Sequence, residues 1–416
     1  VILGAELANA SGYDGSTQTV AVADTGLGDG TTAGAHADLA DRVTSVFNWP
    51  GQSDNCFRTI VDDGAIDVDS GHGTHTTLSI ASDGDASGAG MGTAPGARVV
   101  FQATENYVSQ MGGICAFLFS PGYYLTGLPS DLGDLYLEAY AAGARVHSNS
   151  WGSAQAGAYT IDSVNTDDFV WNHPDRLISV SAGHAGIDAD ADGLVDLDSM
   201  GAPGTAKNVI TIGASENDRE GHWDCDSFLT YTSCADQGAQ NELFTYGQAW
   251  PEDYPANPLA ADPSAGNAEQ LAAFSSRGPT DDGRIKPDLV APGTWVLSGY
   301  SDLYQEGYDP QVNPQNGTYQ FDGWGFPYSD AYKYLGGTSM ANPLAAGAAV
   351  VVRDFFEKAH AHAPSAALVK AMLVNSAVDL LDENNDGAND NDYPIPNNHE
   401  GWGRIDLAAA VDTGRG

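Results

Sequence analysis

The chain has 416 residues, of which 16 are Lys or Arg and 56 are Asp or Glu, so its formal net charge is −40. This length is sufficient for one large α/β domain with a substantial core. The negative charge argues against nucleic acid and anionic membranes as partners, because their phosphates would be repelled. The acidic excess indicates either a surface adapted to high salt or a protein that holds several cations.

Short β-branched runs alternate along the chain with Ala-rich segments of helical period, which predicts a parallel sheet covered by helices. Pro364 and Ser365 mark the start of the last predicted helix. The predicted strands are Thr19–Ala23, Arg98–Gln102, Arg145–Asn149, Leu177–Ser181, Asn208–Ile212 and Lys286–Ala291. The predicted helices are Leu132–Ala142, Ser339–His360 and Ser365–Ala377.

No run of the sequence is long and apolar enough to be read as a membrane span. The most apolar run, Leu344–Val352, ends at Arg353 and is well short of the roughly 20 residues that cross a bilayer. We therefore predict no membrane association. The chain begins at Val1 without Met, which suggests a processed form that lacks its targeting segment.

Several long stretches break the alternation of strands and helices. Loops of this length inside a compact domain usually carry function or hold ions. No shift in composition requires a second folded domain, so we predict a single domain over residues 1–416. Its predicted insertions lie near residues 103–128, 187–200, 222–270, 300–334 and 379–398.

The four cysteines allow three disulfide connectivities. Cys225 and Cys234 bracket a short polar loop, as a surface disulfide does in an oxidising compartment. Cys56 with Cys115 is then the remaining pairing, although the sequence does not choose among the three. A zinc site is the competing interpretation, but the sequence has no CxxC pair.

Three segments carry the residue types of a hydrolase with a serine nucleophile. Asp24 follows a hydrophobic strand, at the edge where open α/β sheets place reactive groups. Glycines flank His72 and let the backbone approach other groups closely. Ser339 opens an apolar helix, whose N-terminus favours the oxyanion formed during acyl transfer. The segments are VAVADTGLGDG (20–30), DSGHGTHTT (69–77) and GGTSMANP (336–343).

The order of Asp24, His72 and Ser339, with these flanks, resembles the subtilisin-like serine proteases. The resemblance covers nearly the whole chain, through SNSWGS (148–153), SAGH (181–184), APGTAKNVITIGA (202–214), FSSRGPTDDGRIKPDLVAPG (274–293) and GWGRIDLAAA (401–410). It implies a three-layer α/β fold with a mainly parallel central sheet and helices on both faces. It also implies a secreted endopeptidase that acts on proteins or peptides and removes its own N-terminal prosegment. We expect a monomer; some relatives carry a further C-terminal β-sandwich.

The chemistry assigns a role to each residue of the triad. Ser339 Oγ attacks the scissile carbonyl, His72 takes its proton, and Asp24 holds the imidazole and stabilises its charged form. The resemblance further implies a substrate rail and an S1 pocket formed by Ser150, Trp151, Gly152, Ala182 and Gly183.

Two positions depart from the family pattern. His184 stands where relatives usually carry an Asn that donates to the oxyanion, and Asn342 replaces a usually small residue. An imidazole N–H can donate in place of the Asn; alternatively, His184 points away and water or the Ser339 N–H acts instead. The chain is therefore either an active endopeptidase or a catalytically impaired, peptide-binding relative. A third alternative is a calcium-dependent adhesion module, which would not require the triad.

Two acidic loops, DADADGLVDLD (188–198) and DENNDGANDND (382–392), share one spacing of oxygen-bearing side chains. Each loop places them at positions 1, 3, 5, 9 and 11, with Gly at position 6. The spacing predicts structural Ca²⁺, which takes six to eight oxygen ligands. Position 12 is Ser199 or Tyr393 instead of Glu, so other groups must complete each site, and a solvated loop is the alternative. The predicted ligands are Asp188, Asp190, Asp192, Asp196, Asp198, Asp382, Asn384, Asp386, Asp390 and Asp392.

Overall fold

The computed structural model describes residues 2–84, 88–218, 244–320 and 325–412. Its strands are β1 (Thr19–Asp24), β2 (Val43–Asn48), β3 (Phe57–Val61), β4 (Arg98–Ala103), β5 (Asn106–Met111), β6 (Gly122–Tyr124), β7 (Val146–Asn149), β8 (Leu177–Ser181), β9 (Ile210–Ser215), β10 (Leu289–Pro292), β11 (Val296–Gly299), β12 (Gly325–Pro327) and β13 (Tyr332–Leu335). Its α-helices are α1 (Ala5–Ala10), α2 (His72–Ala81), α3 (Cys115–Leu118), α4 (Leu132–Ala141), α5 (Ile161–Asn172), α6 (Tyr246–Ala249), α7 (Thr338–His360), α8 (Ala366–Ser376) and α9 (Leu407–Ala410).

A seven-stranded sheet forms the centre of the fold, in the order β10-β9-β8-β7-β1-β4-β2. All of its neighbouring strands are parallel. The prediction of a mainly parallel sheet is therefore confirmed. Six of its strands were predicted; β2 was not, and β10 begins at Leu289 instead of the predicted Lys286.

The side chains of β1 show that helices cover both faces of this sheet. Val20 and Val22 belong to the larger apolar core, together with residues of α2 and α7. Ala21 and Ala23 point the other way, into clusters that contain residues of α4 and α5. Successive residues of a strand alternate between its faces, so these two sets of neighbours lie on opposite sides. The predicted three-layer arrangement is confirmed.

The central helix α7 carries the predicted nucleophile near its start. Gly337 precedes it at φ +149°, a backbone conformation that residues with a Cβ rarely adopt. Pro343 lies inside the helix and has no N–H, so the carbonyl four residues earlier, that of Ser339, loses its usual helical partner. The helix is 23 residues long, yet no helix in the described ranges is apolar enough over a sufficient length to cross a bilayer.

Two of the predicted insertions contribute strands to small antiparallel sheets, in which β3 and β11 come from outside the insertions. Strands β3, β5 and β6 form one sheet, and β11, β13 and β12 form the other. Cys56 and Cys115 form a disulfide beside the first of these sheets, so these two cysteines are not zinc ligands. The predicted pair Cys225 and Cys234 lies outside the described residues.

Candidate active site

Asp24 and His72 form a close pair at the edge of the central sheet. Asp24 is the last residue of β1 and is 2% exposed, and its Oδ1 lies 2.6 Å from Nδ1 of His72. The same oxygen accepts the Thr25 N–H at 2.8 Å, and Oδ2 accepts the Thr76 hydroxyl at 3.2 Å. Burial lowers the pKa of His72, but the charge and hydrogen bond of Asp24 outweigh it, so the net pKa is raised. Nδ1 is thus committed to Asp24, which leaves Nε2 for substrate chemistry.

Close backbone packing around His72 explains the glycines on either side of it. Gly71 caps α2 at φ +65°, and a Cβ there would collide with the ring of Tyr300. A Cβ on Gly73 would collide with the carbonyl oxygen of Gly26. The Gly73 N–H donates to Thr25 Oγ1 at 2.8 Å, so the turn that carries His72 is joined directly to the turn that follows Asp24.

Ser339 is the second residue of α7, is 7% exposed, and contacts Ser150 twice. Its hydroxyl donates to the Ser150 carbonyl at 3.0 Å, and the Ser150 hydroxyl donates to the Ser339 carbonyl at 2.9 Å. The Ser339 N–H belongs to the first helical turn, whose N–H groups have no acceptor within the helix and therefore suit an oxyanion.

His184 lies against the start of α7, as the resemblance implies. Its Nε2 accepts the Thr338 N–H at 2.9 Å, and its ring packs edge-to-face against Phe274. Burial, followed by the nearby charge of His72, lowers the pKa of His184 to about 4. The ring is therefore neutral at ordinary pH, and Nε2 acts as an acceptor. Donation to an oxyanion would require the Nδ1–H, or loss of the bond to Thr338.

One cavity of about 360 Å³ lies beside Ser339. Among the described residues that line it there is no Asp, Glu, Lys or Arg. Trp151 is anchored there by its Nε1–H, which donates to the Ala23 carbonyl at 2.8 Å. All five predicted substrate-binding residues line this cavity: Ser150, Trp151, Gly152, Ala182 and Gly183.

The sequence profile of the subtilase family matches residues 15–403. The chain belongs to the subtilase family. The matched region includes Asp24, His72 and Ser339, so the whole constellation described above lies within it.

Several serine proteases resemble this subtilase over part of its length. The serine protease/ABC transporter B family protein tagD of Dictyostelium discoideum is 31% identical over 289 residues, which cover 60% of this chain and 15% of tagD. Serine protease AprX of Bacillus subtilis (strain 168) is 25% identical over 356 residues, which cover 83% of this chain and 58% of AprX. This chain therefore spans less than two thirds of the length of either relative.

The solved structure of the prenylagaramide maturation protease PagA has a TM-score of 0.52 with this subtilase. The similarity covers 98% of this chain and 97% of that chain, at 15% sequence identity. It shows a shared fold. The fold is thus that of the subtilisin-type serine proteases.

A second buried carboxylate, Asp67, lies next to the triad of this subtilase and was not predicted. It is 0% exposed and accepts the Thr25 hydroxyl at 2.9 Å, the Thr74 N–H at 2.8 Å and the Thr74 hydroxyl at 2.6 Å. Burial raises the pKa of Asp67 to about 6, and its charge contributes to the raised pKa of His72. The available signal was its position, two residues before the DSGHGTHTT segment.

The first acidic loop brings three of its five predicted ligands together. The carboxylates of Asp188, Asp190 and Asp192 have oxygens within 4.8 Å of one another. Asp188 is 1% exposed, and its two oxygens accept the backbone N–H groups of Asp192 and Gly193 at 2.9 and 3.1 Å. Asp196 and Asp198 are outside this group of three; Asp196 Oδ2 instead accepts the Ala189 N–H at 2.7 Å.

The second acidic loop gathers Asp386, Asp390 and Asp392 in the same way, with oxygens within 4.8 Å of one another. The amide Nδ2 of Asn384 donates to Asp392 at 3.0 Å. Asp382 is 1% exposed, and neither of its carboxylate oxygens has a hydrogen-bond partner within the described part of the chain. A buried carboxylate without partners is costly, and a cation would relieve this cost. Asp382 lies outside the group of three, but the oxygen donors of this loop are of the kind that Ca²⁺ prefers.

Proposed function

We propose that this subtilase chain is a secreted serine endopeptidase that hydrolyses peptide bonds through an acyl-enzyme. The observation that carries the proposal is the 2.6 Å contact between Asp24 and His72, on the same edge of the sheet as the helix that presents Ser339 to the cavity. These are the parts that acyl transfer needs: a nucleophile, a base, an orienting carboxylate and a substrate pocket.

In the proposed reaction, Ser339 Oγ leaves the Ser150 carbonyl and attacks the scissile carbonyl carbon, while its proton passes to Nε2 of His72. The oxyanion is held by the Ser339 N–H at the start of α7. The C–N bond then breaks, and His72 gives the proton to the leaving amine. Water attacks the acyl-enzyme, His72 takes its proton, and the return of that proton to Ser339 Oγ releases the acid product.

Cleavage of casein and of a chromogenic peptide amide, with and without phenylmethylsulfonyl fluoride, tests this proposal. We expect turnover that the inhibitor abolishes and that Ser339→Ala loses. Absence of inhibitor-sensitive turnover in a folded sample would overturn the proposal. A Ser339→Ala variant that kept the full biological activity would instead favour an adhesion module.

A catalytically impaired, peptide-binding subtilase is the second candidate. The bond from the Thr338 N–H to His184 Nε2 favours it, because that nitrogen then cannot donate to an oxyanion. The two candidates differ in turnover: a His184→Asn variant that gained orders of magnitude would support impairment. Wild-type kcat in the range of about 1–10³ s⁻¹ that is typical of enzymes would exclude it.

Structural calcium is part of the proposed function. Asp188, Asp190 and Asp192 would hold one ion in the first loop. In the second loop the proposed ligands are Asp382, Asn384, Asp386, Asp390 and Asp392. The bound ion would neutralise the clustered carboxylates and hold each loop in one conformation. Asp196 and Asp198 remain proposed contributors to the first loop, through water or local rearrangement.

Secretion, a monomeric state and removal of an N-terminal prosegment complete the proposal. The disulfide between Cys56 and Cys115 supports an oxidising compartment. Expression of a precursor with its natural upstream sequence tests the processing step. Wild-type precursor should shorten to the mature N-terminus, whereas Ser339→Ala precursor should not.

A further inference from the structure

A fully buried asparagine, Asn342, lies one helical turn after Ser339 on α7. Its Nδ2 donates to Ser148 Oγ at 3.1 Å and to Ser150 Oγ at 3.3 Å. Its Oδ1 accepts the Ser179 hydroxyl at 2.6 Å. Ser148 and Ser179 are register partners on β7 and β8. Asn342 therefore joins the helix that carries the nucleophile to two neighbouring central strands.

Pro343 gives this network a direct connection to Ser339. Because Pro343 has no N–H, the Ser339 carbonyl has no donor from the residue four positions later in α7. The Ser150 hydroxyl takes that place and donates to the Ser339 carbonyl at 2.9 Å. The first turn of α7 is thus held by a side chain from the substrate rail.

The direction of each hydrogen bond follows from this arrangement. A carbonyl oxygen can only accept, so the single hydroxyl proton of Ser150 is used for Ser339. Ser150 Oγ must then accept from Asn342, which requires the NH₂ side of the amide to face it. The Ser150 carbonyl in turn accepts the Ser339 hydroxyl at 3.0 Å. Asn342 thus orients Ser150, and Ser150 contacts the nucleophile at both ends.

An asparagine is otherwise a poor choice for this position. Asparagine has a low helix propensity, and its side-chain amide is costly to bury unless its hydrogen bonds are made. Every N–H of the Asn342 side chain has a partner, and its oxygen has one as well. A network satisfied in this way fixes one arrangement of the groups that it joins.

We propose that Asn342 is a positioning residue for the nucleophile, acting through the hydroxyl of Ser150 to hold the turn that carries Ser339. The inference rests on the proposed acyl-transfer role of Ser339. It predicts that loss of the Asn342 amide misplaces the nucleophile while leaving the cavity and the Asp24–His72 pair intact.

The test measures kcat and KM on a peptide amide, and the second-order rate of inactivation by phenylmethylsulfonyl fluoride. For Asn342→Ala we expect kcat to fall about 10- to 100-fold, as small displacements of reacting groups produce, with KM changed less than about 3-fold. The inactivation rate should fall in parallel, and the acid limb of the pH profile should stay in place. Ser163→Ala is the matched control. It removes a buried hydroxyl whose hydrogen bond to Thr205, 2.8 Å long, is elsewhere in the fold.

Ser150→Ala removes the link while keeping Asn342, so it tests the inference even if Asn342→Ala does not fold. The kcat of the double variant should lie within about 2-fold of the lower of the two single-variant kcat values. Both changes break the same chain of contacts, so the second adds little to the first. Normal kcat in Ser150→Ala, or effects that multiply in the double variant, would overturn the inference. If wild type shows no inhibitor-sensitive turnover, the proposed function itself fails. If wild type turns over and Asn342→Ala matches it, the inference alone fails.

Discussion

The Thr338 N–H donates to Nε2 of His184 at 2.9 Å, immediately beside the nucleophile. A Cβ on Gly337 would lie only 2.9 Å from that same nitrogen, so the backbone and the ring are packed closely at this point. The imidazole therefore stabilises the start of α7 as a hydrogen-bond acceptor. With Nε2 accepting, the neutral ring carries its one N–H on Nδ1, so any donation to an oxyanion has to come from that nitrogen.

The contact between His184 and Thr338 predicts how substitutions of His184 affect kcat. His184→Ala should change kcat by less than about 10-fold, and His184→Asn should raise kcat by no more than about 10-fold, because the Ser339 N–H already holds the oxyanion. KM should change little in either variant, since the gain arises in the transition state. A loss of 100-fold or more in His184→Ala would instead identify His184 as the donor. His173→Ala, a histidine stacked on Phe169 elsewhere in the fold, controls for the loss of a ring.

The acid limb of the pH profile should report His72. The base must be neutral, and its pKa is raised, so kcat/KM should fall as pH decreases through a midpoint above the ordinary histidine value. Asp67→Asn removes a negative charge that contributes to the raised pKa, so the midpoint should move to lower pH. Asp69→Asn is the matched control in the same segment. An unmoved midpoint in Asp67→Asn would contradict this account of the site's electrostatics.

Removal of calcium should lower the thermal stability. A ligand at 100 times its Kd stabilises the folded state by about 2.7 kcal/mol, so EGTA should lower Tm by several degrees and speed autolysis. If Tm and the rate of autolysis are unchanged in EGTA, the proposal of two calcium sites is wrong. Measurement on Ser339→Ala separates the unfolding transition from self-digestion.

Asp382→Asn should have opposite effects in the two calcium states. With calcium the variant should melt below wild type, because a ligand charge is lost. In EGTA at pH 8 it should melt above wild type, because a buried carboxylate without partners has been removed. Asp386→Asn, on a partly exposed residue of the same loop, is the comparison. Equal destabilisation of Asp382→Asn in both states would refute the proposed role of this carboxylate.

Without calcium, Asp382 should also make stability depend on pH. Burial, then the charge of Asp386, raises the pKa of Asp382 from 3.8 to about 7 in the folded state. The folded protein thus binds this proton more tightly than the unfolded chain does. Its contribution to stability is complete below about pH 4 and declines until about pH 7. Urea unfolding of wild type and Asp382→Asn in EGTA, compared at pH 5 and 8, measures this difference.

The cavity beside Ser339 should favour uncharged side chains at P1. Among the described lining residues no Asp, Glu, Lys or Arg is present to pair with a charged side chain, so burial of such a group would be uncompensated. A series of peptide amides that differ only at P1 should give higher kcat/KM for Phe and Leu than for Lys and Glu. A preference for Lys or Glu would place the S1 pocket elsewhere.

The parallel sheet could be predicted from the sequence because strands that are buried on both faces appear as short β-branched runs. Such runs can be recognised without tertiary information. It did not predict α5, because the segment IDSVNTDDFVWN is rich in Asp, Asn and Ser, which favour helices weakly. That helix depends on packing of Phe169 and Val170 against the sheet.

Within the site, the residue types and the pairing of Asp24 with His72 were predictable, whereas the other hydrogen-bond partners were not. Asp24, His72 and Ser339 stood out because each lies in a distinctive short segment. The acceptor role of His184 depends on the path of the backbone at Gly337, which brings the Thr338 N–H onto the ring. Asp67 was missed for a related reason, since its partners Thr25 and Thr74 come from two separate segments.

The bond from the Gly73 N–H to Thr25 Oγ1 makes one backbone amide a reporter of the junction between the turn after Asp24 and the turn that carries His72. This proton can exchange with solvent deuterium only when its bond to Thr25 Oγ1 is broken. Its exchange rate therefore measures how often the bond between these two turns opens, without substrate and without turnover. Mass spectrometry of a peptide spanning this glycine could follow that opening as conditions or variants change.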